Sequence, residues 1–475
     1  MERTVIGRES EVKILRNLLT SSGSQFVGVY GRRRVGKTYL IRQVYKKEIK
    51  YECTALHGVS KRAQLEHFWR ELLGVHKSRE LPPKNWPEAF ARLADYLSQA
   101  KVPKSGKKVV FLDEISWYDT PRSGFLQAFT QFWNGYCDKQ TDIVLVICGS
   151  AASWIIDKVV NDRGGLHNRL TRTIRLLPFD LSESSKLLAA NKVKLSKKDI
   201  IQLYMLIGGI PYYLNKVEPG KGVAQIMDDL FFGDHAALAT EFDNLYAALF
   251  KNHEKHLAVV AALSKKGKGL TRKQIIQQTK LASGGWLTLI LEELEQCGFV
   301  MKTRDIDKAS EDGLYRLIDE YTLFYYKFLA KKRSSTTGAT VANGQSFKIW
   351  SGFAFENLCI KHHKLIAKAL GFPGIAYDVY SFVDKGTAES DGSQIDMVID
   401  RADPYINVVE AKYYNEEYKM TKAAAQSLTH KVNSLQRKTG TDKTIFTTLV
   451  TVRGAIRNPH FLEAVTNEVI FEQLI

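Results

Sequence analysis

Gly31-Arg32-Arg33-Arg34-Val35-Gly36-Lys37-Thr38 follows directly on the apolar run Phe26-Val27-Gly28-Val29-Tyr30 and precedes a helix-compatible stretch, Tyr39-Leu40-Ile41-Arg42-Gln43-Val44-Tyr45. The octet reads G-x-x-x-x-G-K-T between a strand and a helix, the setting of a phosphate-binding P-loop. Glycines let the backbone curl so that its N–H groups face phosphate oxygens, and the loop feeds the positive end of a helix. Lys37 would reach the β- and γ-phosphates, and the Thr38 hydroxyl would ligate Mg²⁺. The expected nucleotide contacts are Gly31, Arg32, Arg33, Arg34, Val35, Gly36, Lys37, Thr38 and Tyr39. The plainer alternative is a glycine turn ahead of an ordinary helix.

Hydrolysis needs a second, acidic element, and Val109-Val110-Phe111-Leu112-Asp113-Glu114 supplies one. A short apolar run ending in two carboxylates suits a buried parallel strand, the Walker B pattern. Asp113 would hold the metal through its water shell, and Glu114 would orient or deprotonate the attacking water. A third apolar run, Ile143 to Cys148, ends in Gly149-Ser150. That places a small hydroxyl at the carboxyl edge of the sheet, where ligands collect, and makes Ser150 the candidate γ-phosphate sensor. The expected fold class is α/β, with a parallel P-loop sheet and a helical lid followed by further domains.

The opening Val5-Ile6-Gly7-Arg8-Glu9-Ser10-Glu11, the Gly31-Arg32-Arg33-Arg34 loop, Leu112-Asp113-Glu114 and Gly208-Gly209-Ile210-Pro211-Tyr212 together resemble the archaeal-type P-loop ATPases of the AAA/STAND superfamily. The resemblance covers the whole chain, because members often carry a winged helix and a C-terminal domain similar to restriction endonucleases. It implies that Ile6, Gly7 and Arg8 lie near the adenine of ATP and that Pro211 sits on the lid. It also implies that Arg169, in Leu166-His167-Asn168-Arg169-Leu170, senses or stabilises the γ-phosphate. Arg163, Arg169, Arg172 and Arg175 could equally be solvated surface charges, and Gly208-Gly209-Ile210-Pro211 is a turn on local chemistry alone.

Organisation follows from shifts in pattern. Pro178-Phe179-Asp180-Leu181-Ser182 reads as a last strand and a helix start capped by Ser182, opening a lid that runs to about residue 245. Three short helices follow, near Leu257–Leu263, Thr271–Thr279 and Trp286–Cys297, then a hairpin from Gly298 to about Leu317; this order describes a winged helix. Its third helix offers Glu292, Glu293 and Glu295 with no Lys or Arg, so it reads as a packing and coupling module rather than a base reader. Lys331 to Ala339 is poor in apolar residues and linker-like. The expected domains are 1–245, an ATPase core with lid; 246–330, a winged helix; 331–346, a linker; and 347–475, a nuclease-like domain.

In that last segment, Trp350 to Asn357 begins a helix, Gln394-Ile395-Asp396-Met397-Val398-Ile399 reads as a strand, and Ile406-Asn407-Val408-Val409-Glu410-Ala411-Lys412 as another. Acid, then strand, then Glu-x-Lys resembles the PD-(D/E)xK nucleases. Asp396 and Glu410 on neighbouring strands can converge on one Mg²⁺, with Lys412 two residues beyond Glu410 on the same face. Lys412 would ease hydroxide formation, Glu356 would reach in from the helix, and Gln426 would touch the DNA backbone. Alternatively the fold has lost cleavage, keeps only a binding role, and its acids and lysine form salt bridges.

The five cysteines show neither metal-ligand nor disulfide spacing, which suits a reducing cytoplasm, and the histidines do not cluster into a zinc site. No run of about 18 apolar residues exists, so no membrane partner is expected. Residues 340–475 hold fifteen Lys plus Arg and fifteen Asp plus Glu, so the entire net charge of +17 lies before residue 340. Such a surplus binds phosphate backbone non-specifically or keeps the protein in solution. Two hypotheses result: an ATP-hydrolysing switch driving a metal-dependent nuclease-like effector on DNA, or a non-catalytic nucleotide-regulated sensor or scaffold that binds protein, DNA or further copies of itself.

Overall fold

The computed structural model describes residues 5–76, 80–150, 152–160, 164–166, 168–250, 252–282, 284–306, 313–333, 335–384, 386 and 392–475. Arg163, His167 and Ser334, which entered the sequence reading, lie outside them. The chain forms two compact units, Met1–Pro178 and Phe179–Ile475.

The first unit is built on β1 (Gln25–Tyr30), β2 (Ile49–Thr54), β3 (Lys108–Asp113), β4 (Ile143–Gly149) and β5 (Arg172–Arg175). All pairings are parallel, in the order β2-β3-β4-β1-β5. Every residue of β3 and β4 is buried, as continuous apolar runs covered on both faces demand. The edge strand β5 buries only Ile174, which is why Arg172, Thr173 and Arg175 are tolerated there. One face packs on an aromatic core that includes Phe68, Trp86, Phe90, Phe125, Phe129 and Trp133. Each such side chain contributes roughly 1.5–3 kcal/mol on burial. The helix Lys37–Val44 runs from the end of β1.

In the second unit the first helix is Leu181–Ala190, and its cap is Asp180 rather than Ser182. Asp180 and Glu183 form a reciprocal capping box, which outcompetes a serine already inside the first turn. The preceding expected strand at Pro178 is not formed; the last strand of the first sheet is β5. At Gly208-Gly209 both glycines are required sterically. Gly208 has φ 62°, and a Cβ on Gly209 would lie 1.8 Å from the Phe179 carbonyl oxygen.

After the helices Lys197–Ile207, Pro211–Leu214, Val223–Met227 and Glu241–Ala247 come His253–Ser264, Arg272–Thr279 and Gly285–Gln296, with β6 (Leu270–Thr271), β7 (Val300–Asp305) and β8 (Leu314–Leu317). The remaining strands are β9 (Tyr377–Asp384), β10 (Ser393–Arg401), β11 (Tyr405–Lys412), β12 (Tyr418–Lys419), β13 (Thr444–Thr451), β14 (Ala455–Ile456) and β15 (Asn467–Ile470). The hairpin does not stand apart. β7 pairs with β9, giving one eight-stranded sheet in the order β15-β13-β11-β10-β9-β7-β8-β6. The division into compact units falls at Pro178. Residues 331–346 are also more than a tether, because they contain the helix Gly338–Ala342. Its Gly338 N–H donates to Asp228 at 2.6 Å, and a Cβ there would lie 2.1 Å from the Ala224 carbonyl.

Candidate functional site

The P-loop joins β1 to its helix in a backbone conformation that its residue types permit. Gly31 has φ 152° and Gly36 φ 95°, and a Cβ on Gly31 would stand 2.2 Å from the Leu176 carbonyl oxygen. Lys37 is the first residue of the helix and is buried, its ammonium donating to the carbonyls of Gly31 (2.9 Å) and Arg32 (3.1 Å). Thr38 donates its hydroxyl to Asp113 Oδ2 at 2.6 Å, which brings loop and β3 together across the carboxyl edge. Val35 is buried in the loop, and Tyr39 is exposed on the helix. Thr38 and Asp113 are a hydroxyl and a carboxylate, the hard oxygen donors that Mg²⁺ prefers.

Burial pushes the Asp113 carboxyl up, and the neighbouring Glu114 adds to this; the Thr38 hydroxyl and the Lys37 ammonium work against them. Glu114 follows in a left-handed conformation (φ 50°) that turns it out of the strand line. Its Oε2 accepts both the Ser150 N–H (3.0 Å) and the Ser150 hydroxyl (2.7 Å). The adjacency of β3 and β4 thus brings the expected water-activating acid and the expected sensor into direct contact.

The segment Ile6-Gly7-Arg8 lies against the same loop. Gly7 (φ 67°) and Arg8 (φ 63°) are both left-handed, and the Arg8 guanidinium donates to the carbonyls of Leu177 (2.5 Å) and Val35 (3.5 Å). Gly7 also lines a cleft of about 610 Å³ with Val5, Val12, Gln43 and Val44. Arg169 is not part of this cluster. It lies three residues before β5, whose Arg172 pairs with Val27 near the start of β1, so it belongs to the amino edge of the sheet, opposite the P-loop. There its exposed side chain pairs with Asp138 at 3.3 Å. The arginine that parallel pairing carries to the carboxyl edge is Arg175, beside Tyr30. Sequence reading had no means of ranking the two, because only register separates them. Pro211 opens the short helix Pro211–Leu214 in the second unit.

A second cluster forms in the second unit. Met397 of β10 pairs with Val409 of β11, so Asp396 and Glu410 stand one step further along, facing each other across the strands. Asp396 sits where β10 shifts register against β9, between Ile395 and Val398. Glu356 comes from the helix Gln345–Lys361, and all three carboxylates line one cavity of about 160 Å³. Lys412 Nζ lies 2.8 Å from Glu410 Oε1, and Lys431 Nζ lies 2.7 Å from Glu410 Oε2. Asp396 receives Arg316 Nη2 at 3.0 Å and Gln394 Nε2 at 3.3 Å. Arg316 also donates to Asn357 at 3.2 Å.

Burial raises Glu410, yet Lys431 and Lys412 outweigh it and hold the carboxyl below its ordinary value. Burial lowers Lys412, and Glu410 more than restores it. Glu356 has no such rescue: burial, then Asp396 and Glu410, push its carboxyl up to about 7. The four residues expected from sequence are therefore gathered together. Their arrangement does not fit a divalent cation as it stands, since cationic side chains already occupy both ligand carboxylates. Among the described residues no three His, Cys, Asp or Glu side chains are grouped so as to hold a metal ion. Gln426 is exposed on the helix Lys422–Thr439, and Lys431 of that helix lines the cavity instead. Arg316, Lys431 and Asn357 were missed because no local pattern announces them.

Among the described residues no helix is long and apolar enough to cross a membrane. Residues 6–217 match a family model described as an ATPase domain predominantly from Archaea. The chain is 23% identical over 399 residues to an uncharacterized protein from Methanocaldococcus jannaschii, spanning 83% of each. Two solved structures are similar at low identity. One is a Walker-type ATPase of Pyrococcus abyssi, 17% identical, with 68% of this chain and 96% of that chain covered and a TM-score of 0.46. The other is the Aeropyrum pernix ORC2 protein, 14% identical, with 74% and 95% covered and a TM-score of 0.42. The strand–loop–helix geometry at Lys37 and the match of residues 6–217 agree, and the N-terminal part of this chain is similar to ATPase domains found predominantly in Archaea.

Proposed function

We propose that the protein is an ATP-hydrolysing switch whose nucleotide state governs a nuclease-like effector acting on DNA. The observation that carries the first half is the 2.6 Å bond between Thr38 and Asp113, which joins the phosphate-binding loop to the acidic strand at one edge of a parallel sheet. Backbone amides of residues 31–38 would cradle the phosphates, Lys37 would move from the loop carbonyls to the β- and γ-oxygens, and Ile6, Gly7 and Arg8 would border the adenine. Mg²⁺ held by Thr38 and, through water, by Asp113 would neutralise charge on the β- and γ-oxygens. Glu114 would take a proton from the attacking water, once released by Ser150 to a γ-phosphate. Pro211 belongs to the proposed lid, and the three helices with the β7–β8 hairpin form a proposed winged helix.

The test of this half is nucleotide binding and turnover in two variants. Lys37→Ala should lose ATP binding in calorimetry, while Glu114→Gln should bind ATP normally and lose at least a hundredfold in turnover. Normal turnover in Glu114→Gln overturns its role as base.

The convergence of Glu356, Asp396 and Glu410 on one cavity, with Lys412 paired to Glu410, supports the nuclease-like half. The pairing of both ligand carboxylates with cations favours the second reading, a nucleotide-regulated sensor or scaffold with a degenerate nuclease fold that binds protein or DNA. Incubation with Mg²⁺ or Mn²⁺ and several DNA forms separates them. Cutting that Asp396→Ala and Lys412→Ala abolish favours the nuclease, and the absence of such cutting favours the scaffold.

A further inference from the structure

The turn between the helix His253–Ser264 and β6 carries Lys265, Lys266 and Lys268, interrupted only by Gly267. All three lysines are exposed, and among the described residues none of their ammonium groups has a hydrogen-bond or ion-pair partner. The backbone of the turn is nevertheless fixed. The Lys266 N–H donates to Leu263 (3.1 Å) and the Gly269 N–H to Lys266 (2.9 Å). Gly269 is left-handed (φ 88°), and a Cβ there would lie 2.8 Å from the Tyr315 carbonyl oxygen, so the turn is seated on β8. A Cβ on Gly267 would lie 3.7 Å from the Phe353 ring, so the turn also leans on the helix Gln345–Lys361. Braced there, Phe353 is still 44% exposed, and Ile349, one helical turn earlier, is 56% exposed. Lys268 and Phe353 both line the cavity of the carboxylate cluster. Inside that cavity Asp396 is paired with Arg316, and Glu410 with Lys412 and Lys431, so the positive charge of the turn remains open to an anion from outside. Residues 340–475 have no surplus of bases over acids, and this turn brings to them the charge that binding a phosphate backbone uses.

We propose that Lys265, Lys266, Lys268 and Phe353 form a binding surface for single-stranded DNA beside the cavity, the lysines on backbone phosphates and the Phe353 ring stacked on an unpaired base. The surface rests on the reading of the second unit as acting on DNA, and it names the residues and the form of strand. Cations that follow a backbone, set beside an exposed aromatic face, hold single strands with little regard to sequence, because every base has a face to stack. A duplex keeps its bases stacked on one another and offers Phe353 none. An acidic peptide would satisfy the lysines but has no flat ring to lay on Phe353.

The test is fluorescence anisotropy of a labelled, mixed-sequence DNA single strand titrated with the full-length protein, without nucleotide and with a chelator present, over a range of salt concentrations. A triple variant with Lys265→Gln, Lys266→Gln and Lys268→Gln should bind roughly tenfold more weakly or worse, and its slope of log affinity against log salt should be shallower by about 2, the share of three phosphate contacts on a single strand. The corresponding triple change to arginine should bind as wild type does. Phe353→Leu keeps the apolar bulk and loses the ring; it should weaken binding roughly fivefold or more with the salt slope unchanged, and Phe353→Trp should restore it. Wild type that binds the strand equally well with all three lysines neutralised overturns this surface and leaves the DNA reading standing. Wild type that binds no DNA at all overturns both. Unchanged binding in Phe353→Leu, tighter binding of the matching duplex than of the single strand, or displacement of the strand by an equal charge of polyglutamate overturns the single-strand assignment.

Discussion

The Glu356 carboxyl makes the folding of the second unit depend on pH with a calculable sign and size. Burial, then Asp396, then Glu410 raise it from 4.5 to about 7, against the smaller opposing effects of Arg316 and Lys412. Between these values the folded state holds a proton that the unfolded chain has released, so stability falls as pH rises. The favourable contribution is complete below pH 4.5 and is lost by the time pH has risen through about 7. A shift of this size corresponds to about 3 kcal/mol in full, of which about 2.5 kcal/mol should be lost between roughly pH 5 and pH 8. Glu356→Gln removes the charge at every pH and keeps the shape. The assay is urea unfolding of the full chain followed by circular dichroism at several pH values. Subtracting the variant from wild type at each pH cancels the titrating groups remote from Glu356 and leaves Glu356 with the carboxylates coupled to it, Asp396 and Glu410. The variant should gain about 2.5 kcal/mol on wild type between pH 5 and pH 8. A difference that stays flat over that span would refute the assignment of a buried, proton-holding acid at this position.

Gly31→Ala adds a methyl group 2.2 Å from the Leu176 carbonyl in a backbone conformation unfavourable for alanine. It should destabilise the first unit by about 2 kcal/mol or more and weaken ATP binding in calorimetry, by forcing the loop away from β5. Arg169→Ala removes only an exposed ion pair with Asp138 at the amino edge of the sheet. Stability should change by less than about 1 kcal/mol, and ATP affinity of the isolated chain should stay within about twofold of wild type. A large loss of ATP affinity would place Arg169 at the nucleotide after all.

The two phosphate-site strands were legible in the sequence for the same reason they are buried. β3 and β4 lie inside a parallel sheet covered on both faces, so each carries an uninterrupted apolar run, Val109–Leu112 and Ile143–Cys148, that ends in polar chemistry at the carboxyl edge. Asp113, Glu114 and Ser150 were found by that break. The edge strand β5 carries no such signature, because exposure lets Arg172, Thr173 and Arg175 stand in it, and its position went unrecognised. The first helix cap of the second unit was misread for a related reason, since Asp180 and Ser182 are both good capping residues and only the Glu183 N–H donating to Asp180 Oδ1 decides between them.

By itself the sequence determined the P-loop, because curling a backbone around phosphate needs glycines and a lysine at fixed spacing, and it determined which acids and lysine could meet in the C-terminal sheet. Only the tertiary structure decided what those acids meet. The charge on Asp396 is balanced by Arg316, which shares no periodicity, motif or neighbourhood with it along the chain. The same holds for Arg169 and Arg175, whose opposite placements follow from the register of β5 on β1. Local pattern is written in backbone preference and burial; charge partners are chosen by distance in space, which a linear chain does not encode residue by residue.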